Sequence, residues 1–428
     1  MSSTESHDEI IHTNPSAIDQ EKAAPETSHI EPAPDGGAQA WLVAAGAACI
    51  FFSCLGFSNS FGTLTEYYLS HQLRGQSPDN VAWIGSLPVF LQFFSGMVGG
   101  PLFDRFGVKV VRPAVLVYVF AMMMLSLCKS YWHFMVVQGV LMGLVMGFMQ
   151  LPAIAAVSQY FDKKRAAALG IAISGSSIGG IIIPIALSKM LNSSSLDFGW
   201  SVRVIGFLIM PFMGFSLLTL KSRLPPRQTA FWMPEAFKDR RYVLLIVSMF
   251  FVFTGMFAPV IFISTYAVSR GMDVTLAGYL PAILNATSTF GRIIPGILAD
   301  KYGRFNMYAG GSIITGVIIF CMDSPKSNAA IIAYTAVFGF SSGTIISGAT
   351  VSLTACVEDP RNIGTYSGMG MALGALGSLI GPPVSGVFLK HYGGFFEAAM
   401  FSGALCLFGG IIGLMTKLAT PQGLFGRV

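Results

Sequence analysis

From about residue 40 onward the chain alternates long apolar runs with short polar breaks. The runs cover 40–64, 81–102, 110–128, 132–158, 166–189, 202–220, 242–267, 274–299, 306–322, 329–355, 363–388 and 395–416. Each is close to the ~20 residues a helix needs to cross a bilayer. The pattern predicts an all-α membrane protein of twelve transmembrane helices. The longest internal break, 221–241, divides them into two six-helix bundles, 35–220 and 242–418. It reads as a cytoplasmic linker, and Trp232 and Phe237 beside Lys238, Arg240 and Arg241 suggest a piece that lies on anionic lipid. Residues 1–34 are polar and acidic and read as a disordered cytoplasmic tail. They lack the basic start and apolar centre of a signal peptide. Residues 419–428 read as a short cytoplasmic tail.

Composition agrees with the pattern. Charged residues make up 11% of the chain, against roughly a quarter in soluble domains. The net charge of +5 is carried by short loops, so it points to membrane topology and not to nucleic acid. With the N-terminus inside, the loops holding Arg105, Lys109 and Arg112, then Lys163, Lys164 and Arg165, then Lys301 and Arg304, and the linker, all face the cytoplasm. The six cysteines are scattered and show no CxxC pair, so no disulfide framework, metal site or cofactor is expected. No Ser/His/Asp set appears, and an enzyme is not expected.

The halves echo each other. Gly100-x-x-x-Asp104-Arg105-x-Gly107-x-Lys109 joins the second and third runs, and Gly296-x-x-x-Asp300-Lys301-x-Gly303-Arg304 joins the eighth and ninth. Glycine lets helices approach closely, and an aspartate can cap a helix or meet a neighbouring helix N-terminus. A weaker echo relates Gly170, Gly179 and Pro184 to Gly368, Gly377 and Pro382. Duplicated halves imply a carrier that rocks around a central site. The loop motif resembles that of the major facilitator superfamily.

Two further stretches are similar to the monocarboxylate porter family, in its fungal branch. Tyr160-Phe161-Asp162-Lys163-Lys164-Arg165 leads into small residues that include Gly170, Gly175 and Gly179, and Asp35-Gly36-Gly37 precedes Trp41. The small residues lie near one helix face, which either slides against a neighbour or simply packs tightly. The resemblance implies alternating access, with Asp35, Asp104, Arg105, Gly107, Lys163, Lys164, Arg165, Gly170, Gly175, Gly179, Asp300, Lys301 and Arg304 as conformational residues.

Arg292 is the candidate substrate contact. It lies inside the eighth run, roughly 12 Å before Asp300 at 1.5 Å per residue. A cation there costs on the order of 2.5–3.5 kcal/mol, so it either holds an anion in a water-filled pathway or snorkels to the headgroups. The resemblance favours the first reading, because the family has a carboxylate-binding arginine at this place. Ser288 stands where animal members carry an aspartate, and Asn59 where they carry a lysine, which argues against proton–lactate symport. Asn59, Ser288 and Asn285 complete the candidate substrate-binding set. Gln92, Gln138 and Gln150 either line the pathway or bond across helices. Proton coupling would fall to Asp35 or Glu66 through water chains; otherwise the carrier is a uniporter or exchanger. Asn192-Ser193-Ser194 is a glycosylation sequon on the outer side.

The expected function is transport of an organic acid or other carboxylate-bearing small molecule, with efflux of a fungal secondary metabolite favoured. Uptake of a monocarboxylate or a vitamin such as riboflavin is the alternative, and a non-transporting solute sensor the second. The expected location is the plasma membrane, with a vacuolar or other internal membrane as the alternative.

Overall fold

Twelve helical rods follow one another in the computed structural model, which describes residues 31–193, 196–227, 231–420 and 423. The acidic tail, most of the short C-terminal tail and Ser194 of the sequon lie largely outside the described residues. The membrane region belongs to the unit from Ala33 to Val428.

The rods are α1 (Ala38–Ser58, continued by Phe61–Ser70), α2 (Pro78–Phe106), α3 (Val111–Leu125), α4 (Tyr131–Tyr160), α5 (Arg165–Ser193) and α6 (Phe198–Thr219) in the first half. The second half holds α7 (Arg240–Ser269), α8 (Leu280–Tyr302), α9 (Arg304–Phe320), α10 (Asn328–Ala355), α11 (Ile363–Gly374, continued by Leu376–Tyr392) and α12 (Phe396–Leu418). By length and composition, nine of these rods can cross a membrane. The three that fall short are α3, α8 and α9. α3 and α9 are short, at 15 and 17 residues. α8 carries Arg292, Asp300 and Lys301. The eighth run also starts later than its apolar pattern suggests. Asp273 caps a separate turn, Val274–Gly278, and Pro281 sits in the first turn of α8, where its missing N–H is not needed.

Two apolar cores form. One is built from α1–α6 with Ala299, Val351 and Ile363, and the other from α7–α12 with Leu151. The exceptions mark where the halves meet. Across the halves, α2 packs on α11 and α5 packs on α8. The buried glutamines bond across helices within the first half: Gln150 Nε2 donates to Gln92 Oε1 at 3.3 Å, and Tyr68 Oη donates to Gln138 Oε1 at 2.8 Å. Gln138 lies in a π-helical stretch of α4, Met135–Met142.

The small-residue face of α5 divides its labour. Gly175 and Gly179 pack inside the first half, against Ala48 and Gly56 of α1. A Cβ on Gly56 would lie 2.7 Å from the Gly179 Cα. Gly170 instead faces α8 of the other half, where a Cβ would lie 2.5 Å from the Arg292 carbonyl oxygen. Tight packing therefore holds for the first pair, and the contact between halves falls to Gly170. Replacing Gly179 with valine should destabilise the purified protein by about 1–3 kcal/mol, the usual cost of overpacking. Gly62→Ala, with open space around it, should leave the melting temperature unchanged.

Candidate functional site

The duplicated loop motif builds two matching latches. Asp104, near the end of α2, is 5% exposed. Its carboxylate accepts from Gly364 N at 3.0 Å, Thr365 N at 2.7 Å and Thr365 Oγ1 at 2.7 Å. Asp300, near the end of α8, accepts from Ala166 N at 3.0 Å and Ala167 N at 2.9 Å. In both cases the amides are the second and third of a helix that belongs to the other half. The first amides of a helix have no partner of their own and carry its positive dipole end, so they suit a carboxylate. At α11 the local cap residue, Asn362, makes no capping bond, so Asp104 does that work from across the seam.

Each glycine of the motif has a physical duty. Gly107 and Gly303 end their helices with φ of 63° and 102°, the region glycine adopts without strain. Gly100 and Gly296 leave room for the facing backbone: a Cβ on Gly296 would lie 2.8 Å from the Ala166 carbonyl, and one on Gly100 would collide with the Gly364 carbonyl.

Around the latches the basic residues separate into two kinds. Arg105, Lys163, Lys164 and Lys301 have exposed side chains. Arg165 is buried. It donates to Phe161 O at 2.9 Å, to Thr354 O at the end of α10 at 3.2 Å, and to Asp162 Oδ1 at 3.2 Å. Arg304 donates to the Asp162 carbonyl and lies 3.9 Å from Asp300 Oδ1. Asp35 has a left-handed backbone, φ 53°. Its Oδ1 accepts from Asp162 N at 2.7 Å and Lys164 N at 3.3 Å, while Trp41 packs on Phe161 with ring centres 4.9 Å apart. The two stretches resembling the porter family thus touch each other.

The linker has an exposed stretch and a buried one. Trp232, Phe237, Lys238 and Arg240 are exposed, but Arg223 and Arg227 turn inward. Arg227 N donates to the Asp104 carbonyl at 2.8 Å, and its guanidinium to Asn362 Oδ1 at 3.0 Å. The linker is therefore tied to both sides of one latch.

Arg292 sits deeper along the α5–α8 seam and is 6% exposed. Its Nη1 donates to Ile173 O at 2.9 Å and to the Ser176 hydroxyl, both on α5. Its Nε is buried and has no hydrogen-bond partner. Among the described residues, no Asp or Glu forms an ion pair with it within 4.0 Å. Snorkelling to the headgroups is excluded in this conformation, because the side chain crosses to the other half. Asn285, 9% exposed, and Asn59, exposed at the break in α1, both flank Gly180 of α5. A Cβ there would lie 2.7 Å from Asn59 Nδ2 and 3.0 Å from Asn285 Oδ1. The structure therefore brings Asn59, Asn285 and Arg292 to one face of α5. Ser288 goes elsewhere: it is 1% exposed and packs on Gly343 of α10. At the α2–α11 seam, a small open cleft is lined by Phe90, Phe93, Phe94, Ala372, Ala375 and Leu376. Among the described residues no group of three His, Cys, Asp or Glu could hold a metal. Asn192 is exposed near the end of α5.

Comparison with known proteins decides the family. The Major Facilitator Superfamily model matches residues 46–351 and 293–424.

The chain belongs to the major facilitator superfamily.

It is a multi-pass membrane transporter of that class. It is 47% identical over 400 residues to the aspyridones efflux protein of Emericella nidulans, covering 93% of this chain and 82% of that protein. It is 34% identical to the agnestins efflux protein of Paecilomyces divaricatus, covering 90% of this chain and 89% of that one. Among solved structures, the human organic anion transporter MFSD10 superposes with a TM-score of 0.71 at 14% identity, covering 88% of this chain and 100% of that one. The FucP transporter in its outward conformation gives 0.70 at 14% identity, covering 88% and 99%. At that identity the superpositions speak to fold alone.

Sequence reasoning missed Ile173, Ser176, Thr365 and Arg227. The repeat held a signal for one of them. The offset that carries Gly170 to Gly368 also carries Ala166 and Ala167 to Gly364 and Thr365, the amide pairs that receive the two aspartates. Nothing in the sequence marks Arg227 out from the other basic residues of the linker.

If the two latches act alike, Asp104→Ala and Asp300→Ala should each open the latch end of the seam. Losing hydrogen bonds to a charged group, at about 1.5–3 kcal/mol each, should raise thiol labelling of a cysteine placed at Ala167 about tenfold or more. Asp197→Ala, which removes a local cap of α6, should leave that labelling at the wild-type level.

Proposed function

We propose that this transporter is an efflux carrier for an anionic secondary metabolite, of the monocarboxylate porter kind. The observation that carries the reading is Arg292: a buried guanidinium at the seam of the two halves, served only by neutral oxygens and left with an unused N–H. A cation in an apolar span is costly, and an incoming anion would offset that cost. Guanidinium suits this task because its planar fork matches a carboxylate in a bidentate way. Efflux is favoured over uptake by the relatives, two of which are named efflux proteins for fungal products. The contact of Asp35 with the 162–164 loop supports the porter assignment, since it joins the two stretches that carry the resemblance.

The latches give the carrier its conformational cycle. With Asp104 and Asp300 engaged, the cytoplasmic ends of the halves are drawn together and the pathway faces the other side. Releasing both aspartates would open the cytoplasmic end, as alternating access requires. Asp35 is committed to the loop it holds, which leaves Glu66, exposed on the continuation of α1, as the candidate for proton coupling. Asn59 and Asn285 are assigned as neutral contacts beside the anion. The plasma membrane is the location that suits efflux.

In proteoliposomes, Arg292→Ala should lower carboxylate counterflow about tenfold or more, as expected from losing a charged hydrogen bond. Arg292→Lys should retain part of it, since lysine keeps the charge without the fork. Unchanged counterflow in Arg292→Ala would overturn the anion site.

A further inference from the structure

Arg292 is not waiting in an open pathway; its guanidinium is already in use. Ser176 Oγ donates to Ile173 O at 2.8 Å, which orients its lone pairs toward Arg292 Nη1. The Ile173 carbonyl takes a second bond from the same Nη1 at 2.9 Å. Ile173 and Ser176 therefore form a small neutral acceptor pair on α5. The pair is reachable because Gly170, one turn earlier, lets the two backbones close. The bonds run between the halves, so they help hold the α5–α8 seam together.

Among the described residues, the other seam shows no such guanidinium bridge at the matching point. The motif offset that carries Gly100 to Gly296 carries Gly96 to Arg292. Gly368 meets the Gly96 carbonyl with the same 2.5 Å Cβ approach that Gly170 makes to Arg292. At the corresponding point of α2 there is thus no side chain to bridge, and a cleft farther along is lined by Phe90, Phe93, Phe94, Ala372, Ala375 and Leu376. The guanidinium bridge is an asymmetry added to a duplicated interface, which sets it apart from general packing.

We propose that the Ile173 carbonyl and the Ser176 hydroxyl are the resting acceptors of Arg292, and that the anionic group of the transported metabolite replaces them. This rests on the anion reading given above and adds a coupling step to it. A carboxylate binds guanidinium more strongly than neutral oxygens do, so the exchange runs toward the anion. It also removes two bonds between α5 and α8. Loading the substrate and loosening one seam become a single event, which gives the ligand the differential interaction with two conformations that a population shift requires. Ser176 is a positioning residue in this scheme, and it need not touch the substrate.

The scheme makes a counter-intuitive prediction: removing a bond to Arg292 should improve binding. Full-length wild type, Ser176→Ala, Ser176→Thr and Arg292→Ala would be reconstituted and titrated with benzoate, salicylate and octanoate. Exchange of backbone amides over residues 170–180 would be followed by hydrogen–deuterium exchange. Freeing one hydrogen bond of about 1 kcal/mol should tighten carboxylate binding about fivefold in Ser176→Ala. It should also raise exchange over 170–180 before any ligand is added. Ser176→Thr keeps the hydroxyl and should match wild type, where exchange rises only on adding the carboxylate. If Ser176→Ala binds no tighter than wild type while Arg292→Ala loses binding, the exchange of acceptors is wrong and the anion site stands. If Arg292→Ala binds as well as wild type, or no carboxylate binds wild type, the anion site itself fails.

Discussion

A carboxylate of one half, set against the first amides of a helix in the other, is the interaction on which this conformation depends. It occurs twice, at Asp104 with Gly364 and Thr365, and at Asp300 with Ala166 and Ala167. The helix amides need an acceptor, and burying a carboxylate without donors is costly. Each group answers the other's need only while the halves are together at this end. The glycines Gly100 and Gly296 make the approach short enough, and Gly107 and Gly303 turn the chain away directly afterwards.

Once the latch end is fixed, the rest of the site follows from the two seams. α5 and α8 run side by side from the Asp300 latch, so Gly170, Ile173 and Ser176 come up against Arg292, and Gly180 against Asn285 and Asn59. α2 and α11 run from the Asp104 latch, and a cleft between them is lined by Phe90, Phe93, Phe94, Ala372, Ala375 and Leu376. One duplicated framework thus carries two chemically different walls. The first wall carries the Arg292 guanidinium, and the proposed anion site rests on it. Asp35 and Arg165 brace the loop before α5, and the linker braces α2 through Arg227, so the latches are supported from behind.

Much of this was legible in the sequence, for physical reasons. Apolar runs of bilayer length have few folded outcomes, so the helical architecture could be read directly. α3, α8 and α9 show the limit: two are short and one is interrupted by charge, so their apolar runs fall below what a bilayer-crossing helix needs by length and composition. Arg292 stood out because charge in an apolar span is expensive. Its partners did not, because a backbone carbonyl at Ile173 and one serine among several leave no compositional trace. Ser288, one turn before Arg292, packs on Gly343 of α10, a neighbour that the sequence does not display. Gln92, Gln138 and Gln150 bond to their neighbours across helices, a pairing that depends on crossing points a sequence does not display.

The two aspartate latches hold the linker-side ends of the halves together. The most direct measurement is a distance distribution between spin labels at Lys109, after α2, and Glu358, before α11, both exposed. It would be taken by pulsed electron–electron resonance on the reconstituted protein and on the Asp104→Asn, Asp300→Asn double variant. The account predicts one dominant short distance in the parent protein and a shift of most of the population to a longer distance in the double variant. The same short distance in both would contradict it.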